Sequence, residues 1–200
     1  MKKNKIVSAT LAFALLGTIS TWQGCSCNKV KIGCGGPMTG NEPTAIMLIF
    51  RNINNPADID TSLSNSGQSS ITLSANSSYH VQVLFLNQRA IPSSAGYDMT
   101  PSVVKESSSY LVCFNDSATF YGNQSANLNW IREDMDNSAS PMQLGVVDSF
   151  WTGADSVCGL LQTTLHHQYK LKNGDCDPGY VDIQALDTIY ISPARNAQYH

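Results

Sequence analysis

From Thr44 to Ile191 the apolar residues of this chain recur at every second position, and only one stretch carries the start and stop signals of a helix. A period of two puts alternate side chains on opposite faces of a strand, so each strand leaves an apolar face that another layer must cover. The candidate strands are residues 44–50, 69–73, 79–86, 109–114, 126–131, 144–151, 160–167 and 181–191. In the third, Tyr79, Val81, Val83 and Phe85 share one face. Turn-forming sequences separate them: Asn54-Asn55-Pro56, Ala75-Asn76-Ser77, Tyr121-Gly122-Asn123 and Asn173-Gly174. The pattern predicts an all-β protein, an antiparallel β-sandwich of immunoglobulin-like style with at most one short helical turn. That turn falls at residues 100–106, where Thr100 is placed as N-cap and Pro101 at the first helical position. No alternation of strands with helices of ten or more residues occurs, which excludes a doubly wound sheet and the two-lobed periplasmic binding fold. No repeat of 20 to 50 residues suggests a solenoid.

Ahead of the strands, Lys2, Lys3 and Lys5 precede an apolar run over residues 6–19 that is broken by Ser8, Thr10, Gly17 and Thr18. It is shorter than the ~20 residues a bilayer span requires, and it reads as a secretion signal over residues 1–24. Gly24-Cys25 resembles the cleavage site of bacterial lipoprotein precursors, which are cut before a cysteine that follows small residues. Trp22 and Gln23 depart from that pattern. The resemblance implies a diacylglycerol thioether on Cys25 and an acylated amine, an anchor stabilised by ~0.8 kcal/mol per buried CH₂. Cys27 is the second choice for lipidation, and a free periplasmic protein is the alternative outcome. Residues 25–43 are Gly-rich and polar, with Gly35-Gly36-Pro37 and Asn41-Glu42-Pro43, and read as a flexible tether. Residues 44–192 then form one folded domain and 193–200 a tail.

Without residues 1–24 the chain has 9 Lys+Arg against 15 Asp+Glu, a net charge of about −6. No Lys/Arg cluster follows residue 31, so a basic groove for a phosphate backbone is missing and nucleic acid is excluded as a partner. In an oxidising compartment cysteines pair by default. Beyond Cys25 the disulfide candidates are Cys27, Cys34, Cys113, Cys158 and Cys176, with a Cys27 to Cys34 loop and one bond inside the domain as one arrangement; spacing does not choose the pairs. Cys25-Ser26-Cys27 has one intervening residue, too few for a zinc knuckle.

The phrase Ile71-Thr72-Leu73-Ser74-Ala75-Asn76-Ser77-Ser78-Tyr79 with Val81, Val83, Leu86 and Asn87 is followed by Trp151-Thr152-Gly153, Leu165-His166-His167-Gln168 and Lys172-Asn173-Gly174-Asp175. These phrases resemble small bacterial envelope lipoproteins of uncharacterised function, built from a signal, a tether and one β-sandwich-like domain. The likeness covers most of residues 44–191. It implies architecture and location, an outer-membrane lipoprotein facing the periplasm or the surface, and no ligand.

Candidate chemistry lies in two acidic loops. Glu133-Asp134-Met135-Asp136-Asn137 places Asp134, Asp136 and Ser138 where their oxygens could meet Ca²⁺. An EF-hand would need Gly and Glu where Ala139 and Gly145 stand, so that loop is excluded. Asp175-Cys176-Asp177-Pro178-Gly179, with Asp182 nearby, is the second loop, and Asp134, Asp136, Asp175 and Asp177 would share a cation if the fold joined them. Solvated turns are the simpler reading of both, and no cofactor is required. His166 and His167 are adjacent on a strand and face apart. No Gly-x-Ser-x-Gly occurs, and no catalytic set is assigned; Cys113 or Cys158 near His167 is where a nucleophile would be sought. Trp130, Phe150 and Trp151 are either core or an aromatic platform for sugar or peptide. The expectation is a membrane-anchored binding or structural module, not an enzyme, whose partner is an envelope protein or glycan. A Ca²⁺-stabilised carbohydrate or peptide binder is the alternative and a secreted hydrolase the third choice.

Overall fold

The computed structural model describes residues 42–65, 69–116 and 128–193. The expected signal, Cys25, Cys27, Cys34, nearly all of the tether and the tail after residue 193 lie outside the described residues. Nine strands follow in order: β1 (Ala45–Asn52), β2 (Ile59–Ser64), β3 (Ser69–Ser74), β4 (Ser78–Leu86), β5 (Tyr110–Asn115), β6 (Leu128–Arg132), β7 (Val147–Thr152), β8 (Val157–His167) and β9 (Tyr180–Ser192). A short helix, α1 (Thr100–Lys105), and one 3₁₀ turn (Ser107–Ser109) sit between β4 and β5. A five-stranded sheet, β2-β1-β4-β7-β6, packs on a four-stranded sheet, β3-β9-β8-β5. The protein is an all-β sandwich. No described helix is long and apolar enough to cross a membrane.

The period of two explains the core. Ile46, Leu48 and Phe50 of β1, with Tyr79, Val81, Val83 and Phe85 of β4, face inward and are fully or almost fully buried, each burial stabilising by about 1.5–3 kcal/mol. Phe150 of β7 lies at the centre, with ring centroids 5.5 Å from Phe50, 5.0 Å from Phe114 and 5.8 Å from Trp130. Phe114 belongs to the second sheet, so edge-to-face aromatic contact joins the two layers.

Three expectations need correction. The sandwich is not wholly antiparallel, because β3 pairs in parallel with β9, Ser69 opposite Asp187. The chain passes from one sheet to the other between β2 and β3, and β3 arrives at the edge of the second sheet running in the direction of β9. The strand β2 was not expected, for its pattern is inverted: Ser62 and Ser64 are buried while Ile59 and Leu63 are exposed. The serine face fits because Asp187, fully buried on the inner face of β9, accepts hydrogen bonds from Ser64 Oγ at 2.8 Å and from Ser69 Oγ. Finally, Thr100 does not cap α1, whose N-cap is Met99. Its hydroxyl instead accepts the backbone N–H of Phe85 at 2.9 Å and ties α1 to β4.

Candidate functional site

The two acidic loops are brought together, but around a lysine. Asp136 is buried, and its Oδ2 receives the Lys172 ammonium at 2.8 Å. Its Oδ1 accepts the N–H groups of Ser138 and Met142 and the Ser138 hydroxyl. Burial alone would raise this carboxyl, but Lys172 and the Ser138 and Met142 donors outweigh it and hold it at about 2. Asp134 is committed to backbone too, accepting Gly145 N–H at 2.6 Å and Val146 N–H at 3.0 Å. Asp175 closes its own turn with Asn173, 3.1 Å from Nδ2, and Asp177 is exposed. Among the described residues no group of three or more His, Cys, Asp or Glu side chains could hold a metal. Lys172 Nζ also donates to the Ser107 carbonyl at 2.9 Å.

Cys113 and Cys176 form a disulfide, Cα atoms 6.0 Å apart, that fastens the loop of residues 168–179 to β5. Cys158 is free and exposed. Neither thiol is a nucleophile beside His167: Cys113 is oxidised, and Cys158 lies opposite Tyr190 while His167 lies opposite Tyr180, at the other end of β8. The two histidines do face apart, His166 Nε2 to Thr164 Oγ1 at 3.0 Å and His167 Nδ1 to the Tyr180 hydroxyl at 2.7 Å. No aromatic platform forms from the expected trio. Phe150 is core, Trp130 stacks on it from the core edge, and only Trp151 is half-buried on the outer face.

The compact polar cluster of this domain contains His167 and three residues that sequence pattern did not single out together. Tyr110 of β5 and Tyr180 of β9 are the cross-strand neighbours of His167 on either side. The imidazole lies between the two rings, at centroid distances of 4.8 Å and 5.0 Å. A bulge between Leu165 and His166 shifts the register so that His166 faces Val181 and Leu165 faces Ile183, which leaves Asp182 as the extra residue. Its Oδ2 lies 3.8 Å from His167 Nδ1. Burial raises the Asp182 carboxyl, with His167 opposing and Glu42 adding to the rise. Burial, then Asp182 and Glu106, likewise raise the Tyr110 phenol. In sequence Asp182 stands beside the second acidic loop, but 57 residues separate Tyr110 from His167 and only register joins them.

Gly179 sets the approach to Tyr180. It has φ +88°, and a Cβ there would overlap the His167 carbonyl, so the chain can close against β8 only with glycine. The loop leading to it wraps the buried Gln168, whose Nε2 donates to the carbonyls of Asp175 at 2.7 Å and Pro178 at 2.9 Å.

At the far end of β9 a polar groove of about 530 Å³ opens between β2 and β3, lined by Asn52, Asp58, Asp60, Thr72, Ser74 and Ser192 among others. The outer face of the five-stranded sheet is mixed, with Ile59, Leu63 and Ile131 exposed and Met47 and Ile49 half-buried beside the exposed Arg51, His80 and Gln82. One further group is unusual. Asp148, on the inner face of β7, is fully buried and neither oxygen has a hydrogen-bond partner. Burial, reinforced by Asp134 and opposed by Arg132, pushes its carboxyl up to about 8. The Arg132 guanidinium is engaged elsewhere, donating from Nε and a terminal nitrogen to the Val112 carbonyl at 3.2 Å and 3.0 Å.

Comparison with known proteins found no matching family, no similar curated protein and no similar solved structure.

Proposed function

We propose that this protein is an exported envelope module, anchored through lipid on Cys25, that works by binding or structural contact rather than by turnover. The observation that carries the reading is the Cys113–Cys176 disulfide, a bond that persists in oxidising compartments and is rare where glutathione keeps thiols reduced. It agrees in direction with the lysine-led apolar run of residues 2–19 and the Gly24-Cys25 pair. Contact is supported by the β2 edge of the five-stranded sheet, where Ile59 and Leu63 are exposed beside the half-buried Met47 and Ile49. The partner class stays as the sequence suggests, an envelope protein or glycan.

Intact mass of the protein from its own membrane fraction, with and without reduction, tests this reading. A mature N-terminus at Cys25 with added acyl mass, and a mass shift on reduction, are expected. A chain lacking lipid overturns the anchor, and a chain unchanged by reductant overturns the oxidising compartment.

A second reading is favoured by the polar groove. Its carboxylates, amides and hydroxyls suit a small polyhydroxylated ligand better than an apolar one. Calorimetric titration with envelope saccharides, against Asp58→Ala and Asp60→Ala variants, distinguishes it from pure structural contact.

A further inference from the structure

The large apolar side chains that stay exposed are not spread evenly over the sandwich. Ile91, Val104, Met135, Tyr169, Leu171 and Tyr180 are exposed, Ile91 at 71% and Tyr169 at 62%, and all lie at the end where β9 begins. Ile91 is in the connection from β4 to α1, Val104 is in α1, Met135 follows β6, and Tyr169 and Leu171 follow β8. At the opposite end, among the described residues, only Ile53 is a large apolar residue exposed in a connection. Single exposed apolar residues are ordinary, but a group gathered at one end marks an interaction surface.

Hydrogen bonds fasten these connections to one another. The Asn137 amide donates to the Lys105 carbonyl and the Asn137 N–H to Ser107 Oγ, both at 3.2 Å, which joins the segment after β6 to α1. The Gln168 N–H donates to the Ser109 carbonyl at 2.6 Å, and the Leu171 N–H closes a turn onto the Gln168 carbonyl at 2.8 Å. Lys170, with φ +58°, sits inside that turn and lays its ammonium 5.0 Å from the Tyr169 ring centre. An aromatic ring beside a lysine whose stem lies along apolar surface is a pairing suited to the boundary between lipid and water. The connection from β4 to α1 is pinned at its base, where the Asn87 N–H meets the Tyr97 carbonyl at 2.8 Å.

The chain enters the domain at this same end. The Thr44 N–H donates to the Leu86 carbonyl at 2.7 Å, and Thr44 Oγ1 accepts the Gln88 N–H at 2.8 Å, beside the connection that carries Ile91. Residues 26–41 lie between Cys25 and Glu42, and a chain of that length reaches at most about 60 Å. A lipid on Cys25, the reading on which this inference rests, therefore arrives at the apolar end, and so short a leash makes even a weak surface contact effective. We propose that Ile91, Val104, Met135, Tyr169, Leu171 and Tyr180 seat the domain on the lipid bilayer. The thirteen residues of β9, at ~3.3 Å each, then hold the polar groove about 40 Å away from the lipid. Exposed Arg89, Lys105 and Lys170 share the seating end with exposed Asp98, Glu106, Asp175 and Asp177, so it carries no excess of positive charge. Apolar burial rather than attraction to anionic headgroups drives the contact, and neutral lipid serves as well as anionic.

The test uses the chain from Ser26 to His200 with an amino-terminal polyhistidine tag, held on phosphatidylcholine vesicles through nickel-chelating lipid. Seating is then measured whatever the modification of Cys25. Leu171→Trp and Ile91→Trp place reporters at the seating end and Ile53→Trp places one at the opposite end, each read against the parent chain with Trp130 and Trp151 alone. Emission from the first two should shift to the blue and be quenched by lipid with brominated acyl chains, relative to the same vesicles without bromine, at low and high salt alike. Ile53→Trp should be unaffected, and adding Tyr169→Asp should weaken the quenching at Leu171→Trp. All these positions are exposed, and near-UV circular dichroism checks the fold of each variant. No quenching at either seating-end reporter, equal quenching at Ile53→Trp, or quenching lost in high salt overturns the proposal. Intact mass judges the anchor separately: a chain without lipid that is still quenched keeps the seating surface and loses the anchor, and a lipidated chain without quenching does the reverse.

Discussion

The strand β9 connects two ends of the sandwich that are built on different principles. Where it begins, at Tyr180, three connections interlock: α1 and its following turn through the Ser107 carbonyl, the loop of residues 133–146 through Asp136, and the loop of residues 168–179 through Lys172, Gln168 and Cys176. Where it ends, at Ser192, the sheets part around a polar groove closed mainly by single side-chain to backbone bonds, such as Asp60 Oδ2 accepting the Thr72 N–H at 2.6 Å. A covalent bond, a buried ion pair and a buried amide hold the first end against solvent. The second remains open to it. The difference teaches that side chains at the braced end are held in place by their surroundings, whereas an open groove suits a ligand that brings its own hydroxyl groups.

If the braced end carries the stability of the domain, breaking the disulfide should cost most. Cys113 and Cys176 are 63 residues apart in sequence, and closing a loop of that size restricts the unfolded chain by about 4 kcal/mol. Cys113→Ala with Cys176→Ala should lower the urea midpoint accordingly, with a steeper slope, because the unfolded chain without the cross-link exposes more surface. The Lys172→Met variant comes next, at about 3 kcal/mol, because it leaves the buried Asp136 carboxylate without its cation. The same pair sets the acid limit. Asp136 titrates at about 2 in the folded protein, below its unfolded value of ~3.9, so the stability it contributes is present above pH ~4 and is lost as pH falls toward 2. Thermal melts over that range should be flatter in Asp136→Asn.

Asp148 works in the opposite direction. Its folded value of about 8 exceeds the unfolded one, so its contribution is complete below pH ~4 and is lost as pH rises through about 8. Between pH 6 and pH 9 the wild type should lose on the order of 2 kcal/mol that Asp148→Asn retains, read from denaturant unfolding at the two pH values. The smallest effect belongs to the open end. Asp60→Ala should cost about 1 kcal/mol and raise amide exchange at Thr72 without disturbing the amides of residues 168–179. Equal exchange at both ends would remove the contrast.

Much of the sandwich could be read from alternation, because a strand with one buried face must alternate: β1 and β4 were legible to within two residues at either end. The strand β2 was hidden for the same reason, since its inward residues are Ser62 and Ser64 and its apolar ones face out. Nothing local shows that a carboxylate from β9 waits opposite. The acidic loops were visible as charge, but the partner of Asp136 lies 36 residues on, and no spacing rule identifies Lys172. The cluster around His167 shows the limit most clearly. Tyr110, His167, Tyr180 and Asp182 fall on three strands, and a register shift at Leu165/His166 decides that Asp182 joins them.

By itself, then, the sequence determined the layer architecture, the short helix with Pro101 near its start, the turns and the supply of cysteines, because these follow from local periodicity, backbone restriction and composition. The tertiary structure alone decided that Cys113 pairs with Cys176, that β3 runs parallel to β9, that Lys172 pairs with the buried Asp136, and that two tyrosines flank His167. Each of these is a contact between residues distant in the chain. Such contacts are chosen by the register in which whole strands pair, and register is settled by the summed burial of two faces rather than by any residue that takes part.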